Sequence, residues 1–395
     1  MDVKEPEQSK PTGRIRMRPG DFLVEEVSAF EPSGQGPHLA LWVRKEGIDH
    51  RSMIRHVASA CGVGPGRVGW AGMKDRDAVT LQWITVQCGQ VDVNSIDSDN
   101  VSVVQATRHD RKLKLGQLTG NRFVIRIREL DPVMAPRIHR ALCAIAKDGL
   151  PNYFMEQRFG YRGINAAIGS CALRGKWDEL IDVWLGTALP PWPSTEQERR
   201  ELCAAGQHGD AAARWPASWA PERLTLEHLA RGATPQEAIA EVQMPIRRIW
   251  TDATQATIFN DVLNERLASG TAATPVEGDI TWSHERFLDS VVDSEPNAIG
   301  DVPTGPLWGR KLRPSTGKVL DAERAALARS GLDERDFGGS GSPTGGRRPL
   351  VIPVVLPHCE SGFDDHGGYV EISFTLPKGG YATAVVDSII DRGGY

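Results

Sequence analysis

In the stretch "WAGMKDRDAVTLQW", residues 70–83, an acid, Asp75, stands between two cations, Lys74 and Arg76, in a turn that follows Gly72. Apolar residues flank the turn on both sides. A carboxylate held in place in this way can act as nucleophile or as base. A surface turn with a local ion pair accounts for the same residues. Asp77 follows two positions later and can face elsewhere, so the paired carboxylates of a glycosidase are not indicated. Alternating directions can aim Lys74 and Arg76 away from Asp75, which leaves room for a basic partner from a distant part of the chain.

A second stretch, "RHDRKLKLGQLTGNRFVIRIR" at residues 108–128, holds seven Lys and Arg against the single acid Asp110. In a chain of net charge −5 this concentration suits phosphate contacts. It suits a solvated charged strand face equally well. Asn121 ends the "LTGN" turn, and its amide can read a base edge through paired hydrogen bonds or simply serve the turn. Phe22, Phe123 and Tyr381, with Tyr153, Phe154 and Phe159, are aromatic candidates for stacking on a nucleobase. Any one of them can equally be core.

Other chemistry finds little support. Residues 64–69 match G-x-G-x-x-G, but a dinucleotide fingerprint needs a strand before it and a helix after it. Here a helix precedes and a strand follows. The six cysteines lack Cys-x-x-Cys spacing and a histidine cluster, so no metal site is expected. They read as small buried hydrophobes in a reducing cytoplasm. The N-terminal "MDVKEPEQSKPTG" has no apolar segment of a signal peptide, and no apolar run nears the ~18 residues of a membrane span. The expectation is a cytoplasmic monomer with no membrane partner.

The elements that must hold these residues are partly legible. A chain of 395 residues, 40% hydrophobic and 25% charged, has room for two or three globular domains. Alternation predicts strands over residues 21–27, 39–43, 79–87 and 121–128. In the last, Phe123, Ile125 and Ile127 face one way while Arg122, Arg126 and Arg128 face the other. Helical periodicity marks residues 51–61 and 138–146. From about Gly160 helical patterns dominate, at 177–185, 224–242 with interruptions, and 251–267. Residues 338–346 read as a flexible Gly/Ser loop. Strand signals return at 350–356 and 369–376, and a helix at 382–390 closes the chain. The prediction is a disordered segment at 1–13, an α/β core over 14–159 and 346–395, and an inserted, mostly helical domain over 160–345.

Together these motifs resemble the TruD family of tRNA pseudouridine synthases. "AGMKDRDAVTLQ" is similar to that family's G-x-K-D-x-x-A-V-T-x-Q motif, "GQLTGNRFVIRIRE" to its G-x-L-x-G-N-x-F strand, and "GLPNYFMEQRFG" to its P-N-Y-F-x-x-Q-R-F-G segment. "RPGDFLVEEV" and "LPKGGYATAVVDSII" resemble its terminal signatures, and the similarity runs from about Gly13 to Tyr395. Gly20, in place of a common acid, and Met155, in place of a small residue, depart from the pattern.

The resemblance implies an α/β (α+β) pseudouridine synthase core, with a mixed or antiparallel sheet and flanking helices, interrupted by a TruD-specific insert. It implies isomerisation of uridine to pseudouridine in tRNA, at position 13 of the D-arm. Asp75 then aligns with the catalytic nucleophile. Phe22, Asn121 and Tyr381 align with substrate contacts, and Phe123 with an aromatic that stacks on the target base. Arg16 lies where a basic residue often sits, and Lys74 of the same motif is expected on the substrate side. Such a rearrangement needs no cofactor. Two other readings stay open: a non-catalytic RNA-binding protein on the same fold, and a glycosidase-type hydrolase of nucleosides.

Overall fold

A strand that alternates apolar and polar residues buries one face and wets the other. Residues 22–127 use that rule repeatedly in the computed structural model, which describes residues 10–189, 191–283, 289–291, 301–339 and 341–392. The chain runs through β1 (Phe22–Ser28), β2 (His38–Glu46), α1 (His50–Ala60), β3 (Val68–Trp70), β4 (Val79–Gln87), β5 (Val101–His109), β6 (Leu118–Ile127) and α2 (Ala135–Asp148). After β7 (Leu150–Pro151) comes a helical block: α3 (Asn165–Leu173), α4 (Trp177–Leu185), α5 (Ser194–Ala204), α6 (His208–Arg214), α7 (Ala220–Ala230), α8 (Pro235–Ala240) and α9 (Met244–Ala268). Then follow β8 (Ile280–Ser283), β9 (Asp289–Val291), β10 (Asp301–Leu307), α10 (Gly317–Arg329) and β11 (Gly346–Pro349). The chain closes with β12 (Val351–Ile352), β13 (Val355–Asp364), β14 (Gly367–Pro377) and α11 (Ala382–Ile389).

Contacts divide the chain into two units, Met1–Leu150 with Ile352–Tyr395, and Pro151–Val351. The sequence reading set these limits at 159/160 and 345/346. The contacts set them at the two-residue strands β7 and β12. Of the segment expected to be disordered, residues 1–9 lie outside the described residues. Residues 10–13 are held: Asp391 N–H donates to Pro11 O at 2.9 Å and Gly13 N–H to Asp391 O at 3.0 Å.

The first unit is built on an eight-stranded sheet in the order β13-β14-β6-β1-β4-β2-β5, with β3 added on β4. The β1–β4 pair is parallel and the other pairs are antiparallel. One sheet face carries two apolar clusters. Phe22, Phe123, Ile125 and Phe374 pack with Ile138 and Leu142 of α2 and with Val385, Val386 and Ile389 of α11. Leu41, Val43, Ile84 and Val86 pack with Met53, Ile54 and Val57 of α1. Each such side chain contributes about 1.5–3 kcal/mol by leaving water. α1 starts cleanly because the Asp49 carboxylate accepts from Ser52 N–H, satisfying one orphan donor of the first turn.

The second unit holds α3–α10 around two further apolar clusters. It also holds a four-stranded sheet, β11-β10-β8-β9, which the reading of a mostly helical insert did not anticipate. No described helix is long and apolar enough to cross a membrane.

Candidate active site

The register of the first sheet exposes an anomaly. Lys45 of β2 pairs with Thr80 of β4, Thr80 with Val24 of β1, Val24 with Phe123 of β6, and Phe123 with Phe374 of β14. That row crosses five strands on one face, and a lysine ends it. In the neighbouring row, Gln82 pairs with Val43, and Asn121 pairs with both Glu26 and Leu376. Lys45, Thr80, Gln82 and Glu26 are all buried. A polar strip thus interrupts the apolar side of the sheet, where an unsatisfied group costs several kcal/mol.

The loop over residues 71–78 satisfies much of the strip. Gln82 Nε2 donates to Gly72 O at 3.1 Å. Lys74 Nζ donates to Glu26 Oε2 at 3.1 Å, both side chains being at most 3% exposed. Lys45 Nζ donates to Ile48 O at 2.9 Å and also to the main-chain oxygen of Asp75. Three inward-facing polar side chains therefore tie the loop at residues 72, 74 and 75. Burial pushes the Glu26 carboxyl up and the Lys74 ammonium down, while their mutual attraction opposes both shifts. Burial also pulls Lys45 down to about 8, against the pull of the Asp75 and Asp49 carboxylates. His50, packed edge-on to Trp70 at 5.3 Å, is pushed down to about 4 by burial and by the Lys45 charge.

With its main chain fixed, Asp75 turns its carboxylate outward, 54% exposed. Its Oδ2 lies 2.5 Å from Arg16 Nη2. Arg16 comes from the N-terminal segment and takes a left-handed backbone, φ 59°. Its guanidinium carbon sits 4.0 Å above the Phe22 ring. Phe22 meets Phe123 edge to face at 6.2 Å, and Phe123 lies 5.7 Å from Phe374. The sequence candidates Arg16, Phe22, Phe123 and Asp75 thus form one chain of contacts. Asn121, beside Glu26 in the register, has a buried Oδ1 without a hydrogen-bond partner among the described residues. Tyr381 is half-buried and stands at the residue before α11, with no side-chain hydrogen bond to the helix start. Lys74, expected on the substrate side, instead faces Glu26 beneath the loop. Arg76 is exposed and 3.9 Å from Asp77.

Three of the seven cations in the basic stretch are neutralised within the first unit. Arg122 pairs with Glu25 at 3.4 Å and Arg126 with Glu371 at 2.8 Å, each its register partner on the adjacent strand. Arg128 is buried between Asp21 and Asp364. The phosphate-tracking surface read from charge therefore does not extend to these three residues. Their acidic partners lie far away in sequence, on β1, β13 and β14 and, for Asp21, in the turn before β1.

The sequence profile of the family described as "TruD: tRNA pseudouridine synthase D" matches residues 7–389. The chain belongs to the TruD family. Among its relatives, the tRNA pseudouridine synthase D of Geobacter sulfurreducens is 33% identical over 97% of this chain and 95% of its own. That of an Anaeromyxobacter species is 34% identical over 96% and 93%, and that of Methylococcus capsulatus 33% over 96% and 91%. A solved chain from Methanosarcina mazei, provisionally described as a tRNA pseudouridine synthase D, superposes with a TM-score of 0.82 at 23% identity. It covers 99% of this chain and 96% of its own, a likeness of fold.

Reading this TruD chain alone missed the groups under the loop, Glu26, Lys45, Gln82 and His50. A signal existed for two of them. In Phe22-Val24-Glu26 and in Leu41-Val43-Lys45 a charge falls on the inward step of an apolar alternation. A charge in that position demands a buried partner.

Proposed function

We propose that this protein isomerises uridine to pseudouridine in tRNA, at position 13 of the D-arm, with Asp75 as the reacting carboxylate. The observation that carries the reading is an outward carboxylate on a loop tied to the sheet, beside an aromatic stack and paired with one arginine. In the reaction the N1–C1′ bond of the uridine breaks and a C5–C1′ bond forms. The ring loses its C5 proton and gains one at N1, so nothing is oxidised and no group leaves the substrate. Asp75 serves this change by adding to the ribose or by taking a ribose proton as the glycosidic bond opens. Lys45, Glu26 and Gln82 hold the loop in one place, and a fixed orientation of the reacting group lowers the barrier. Arg16 fixes the direction of the carboxylate and balances its charge.

The target uridine must leave its stack, at a cost of a few kcal/mol that pocket contacts offset. Phe22 and Phe123 are buried and back the Arg16 guanidinium that pairs with Asp75. The free Oδ1 of Asn121 is an acceptor for a base N–H. Substrate binding is assigned to Arg16, Phe22, Asn121, Phe123 and Tyr381. Lys74 acts from below, through Glu26. The test is incubation with an unmodified tRNA transcript carrying uridine at position 13, with pseudouridine mapped by chemical labelling. Product at that position, absent when the uridine is replaced by cytidine, is the expected result. Free uracil would indicate a hydrolase, and tight binding without product an RNA-binding protein; either overturns the reading.

A further inference from the structure

Two large apolar side chains stand out to solvent on the loop that carries Asp75 and on the loop joined to it. Met73 is 69% exposed and Leu115 is 70% exposed. Both have a fixed main chain. Met73 lies between Gly72, whose carbonyl accepts from Gln82 Nε2, and Lys74, which is tied to Glu26 beneath the loop. Leu115 lies at the tip of a turn over residues 114–117. Gln117 N–H donates to Lys114 O at 3.2 Å, and the Gln117 side chain accepts from Lys114 N–H at 2.6 Å. Gly116 takes φ 89°, the positive value that the third residue of a type II turn requires. Leu113 and Leu118 on either side are buried, so the turn is anchored at both ends and holds Leu115 away from the core.

The two tips are joined. Gly116 N–H donates to Ala71 O at 2.8 Å, at the start of the loop that carries Asp75. Lys114, next to Leu115, is exposed and has no ion pair among the described residues. Apolar tips beside an uncommitted cation suit a nucleic-acid strand, whose base faces are apolar and whose phosphates are anionic. Leucine and methionine are among the side chains that enter unstacked base steps. The proposed reaction creates such a step. A uridine turned out of its stack leaves a gap between its neighbours, and the lost stacking favours its return.

We infer that Leu115 and Met73 enter the base stack of the substrate RNA and fill the space left by the target uridine, with Lys114 on an adjoining phosphate. Both are positioning residues, since neither touches the reacting atoms. With the gap filled, the return of the base is blocked while it faces Asp75. Leu115 is the rigid wedge, and unbranched Met73 adapts to the space that remains.

The wedge rests on the proposed reaction in RNA, and two readouts separate its failure from that of the reaction. The first needs no turnover. A tRNA with 2-aminopurine in place of the target uridine brightens when that base leaves its stack. Saturating wild type is expected to raise the fluorescence. Leu115→Ala with Met73→Ala should remove about half of the rise or more, and Leu115→Met should keep it. The second readout is the kinetics of pseudouridine formation on two transcripts, one with the target uridine paired and one with it bulged by deletion of the opposite base. Leu115→Ala should lower kcat/KM about tenfold on the paired transcript, the scale of burying one such side chain. On the bulged transcript the loss should stay within about twofold, because less unstacking is needed. A merely structural defect would lower both alike. Circular dichroism matching wild type shows that the variants fold. No rise with bound wild type, an equal rise with the alanine variants, or an equal loss on both transcripts overturns the inference. A rise that the alanine variants lose, with no pseudouridine from wild type, upholds the wedge and refutes the proposed activity.

Discussion

Removing the Lys74 ammonium tests whether the loop is held from below. The Lys74–Glu26 pair has side-chain exposures of 3% and 0%, and Glu26 Oε1 has no hydrogen-bond partner among the described residues. Lys74→Met leaves that carboxylate buried without its cation. Breaking one side of a buried pair costs about 3–5 kcal/mol, much of it the stranded charge. In Glu26→Gln with Lys74→Met nothing charged is stranded, so about half or more of the loss should return. The two singles and the double would be compared with wild type by urea unfolding. Hydrogen exchange over residues 71–87 would assign the transition to the first unit.

The pH dependence has a fixed sign. Burial raises the folded Glu26 pKa above its ordinary value of 4.5, and losing Lys74 raises it further. A raised folded pKa contributes stability that is full below the unfolded pKa and disappears as pH rises. The Lys74→Met deficit should therefore be larger at pH 8 than at pH 5. A single variant costing under ~1 kcal/mol, or a double no better than Lys74→Met, would refute the argument from a stranded buried charge.

Arg16→Met should separate rate from stability. The pair it breaks is partly exposed, so unfolding should change by less than ~1 kcal/mol. Pseudouridine formation should fall on the order of 100-fold as the carboxylate loses its direction; equal rates would remove Arg16 from the mechanism. His50 predicts acid sensitivity. Its folded pKa of about 4 lies below the ordinary 6.5, so the neutral ring's contribution is complete above pH 6.5 and is lost as pH falls through about 4. The shift corresponds to about 3 kcal/mol. His50→Leu should flatten that part of the stability curve, and an unchanged acid slope would contradict the assignment. Gly120→Ala would place a Cβ 2.2 Å from Leu376 O, where β6 meets β14. A cost of about 1–3 kcal/mol is expected, with reduced activity because Asn121 adjoins the displaced residue; wild-type stability would show that the strands can part freely.

What was legible in the sequence follows from burial. The strand over 79–87 and the helix over 177–185 stand where the patterns put them, and the strand expected over 121–128 runs over 118–127, because each buries several apolar residues at its own period. β5 and β13 went unread. Both lie at the ends of the sheet order, and β13 is exposed along most of its length, so neither needs a clean alternation. β10 carries Pro303, Gly305 and Pro306, residues that argue against an inner strand, yet it pairs on both sides. The strand expected over 350–356 is split, because β12 ends at Ile352 and β13 starts at Val355.

At the site, Asp75 was visible because its motif is local. Arg16, 59 positions away, was named only through the family resemblance and as a substrate contact, while the basic partner of Asp75 was left open. The cations adjacent in sequence point elsewhere, Lys74 down to Glu26 and Arg76 out to solvent. Which of three nearby cations meets a carboxylate is decided by tertiary structure, and local spacing carries no record of it.

The most direct test of the central claim compares wild type with Asp75→Asn on the same unmodified tRNA, measuring pseudouridine at position 13 and tRNA binding in parallel. The substitution keeps the side chain's shape and the main-chain oxygen that Lys45 holds. The account predicts product from wild type, none from the variant, and similar affinities. Equal product from both would contradict it.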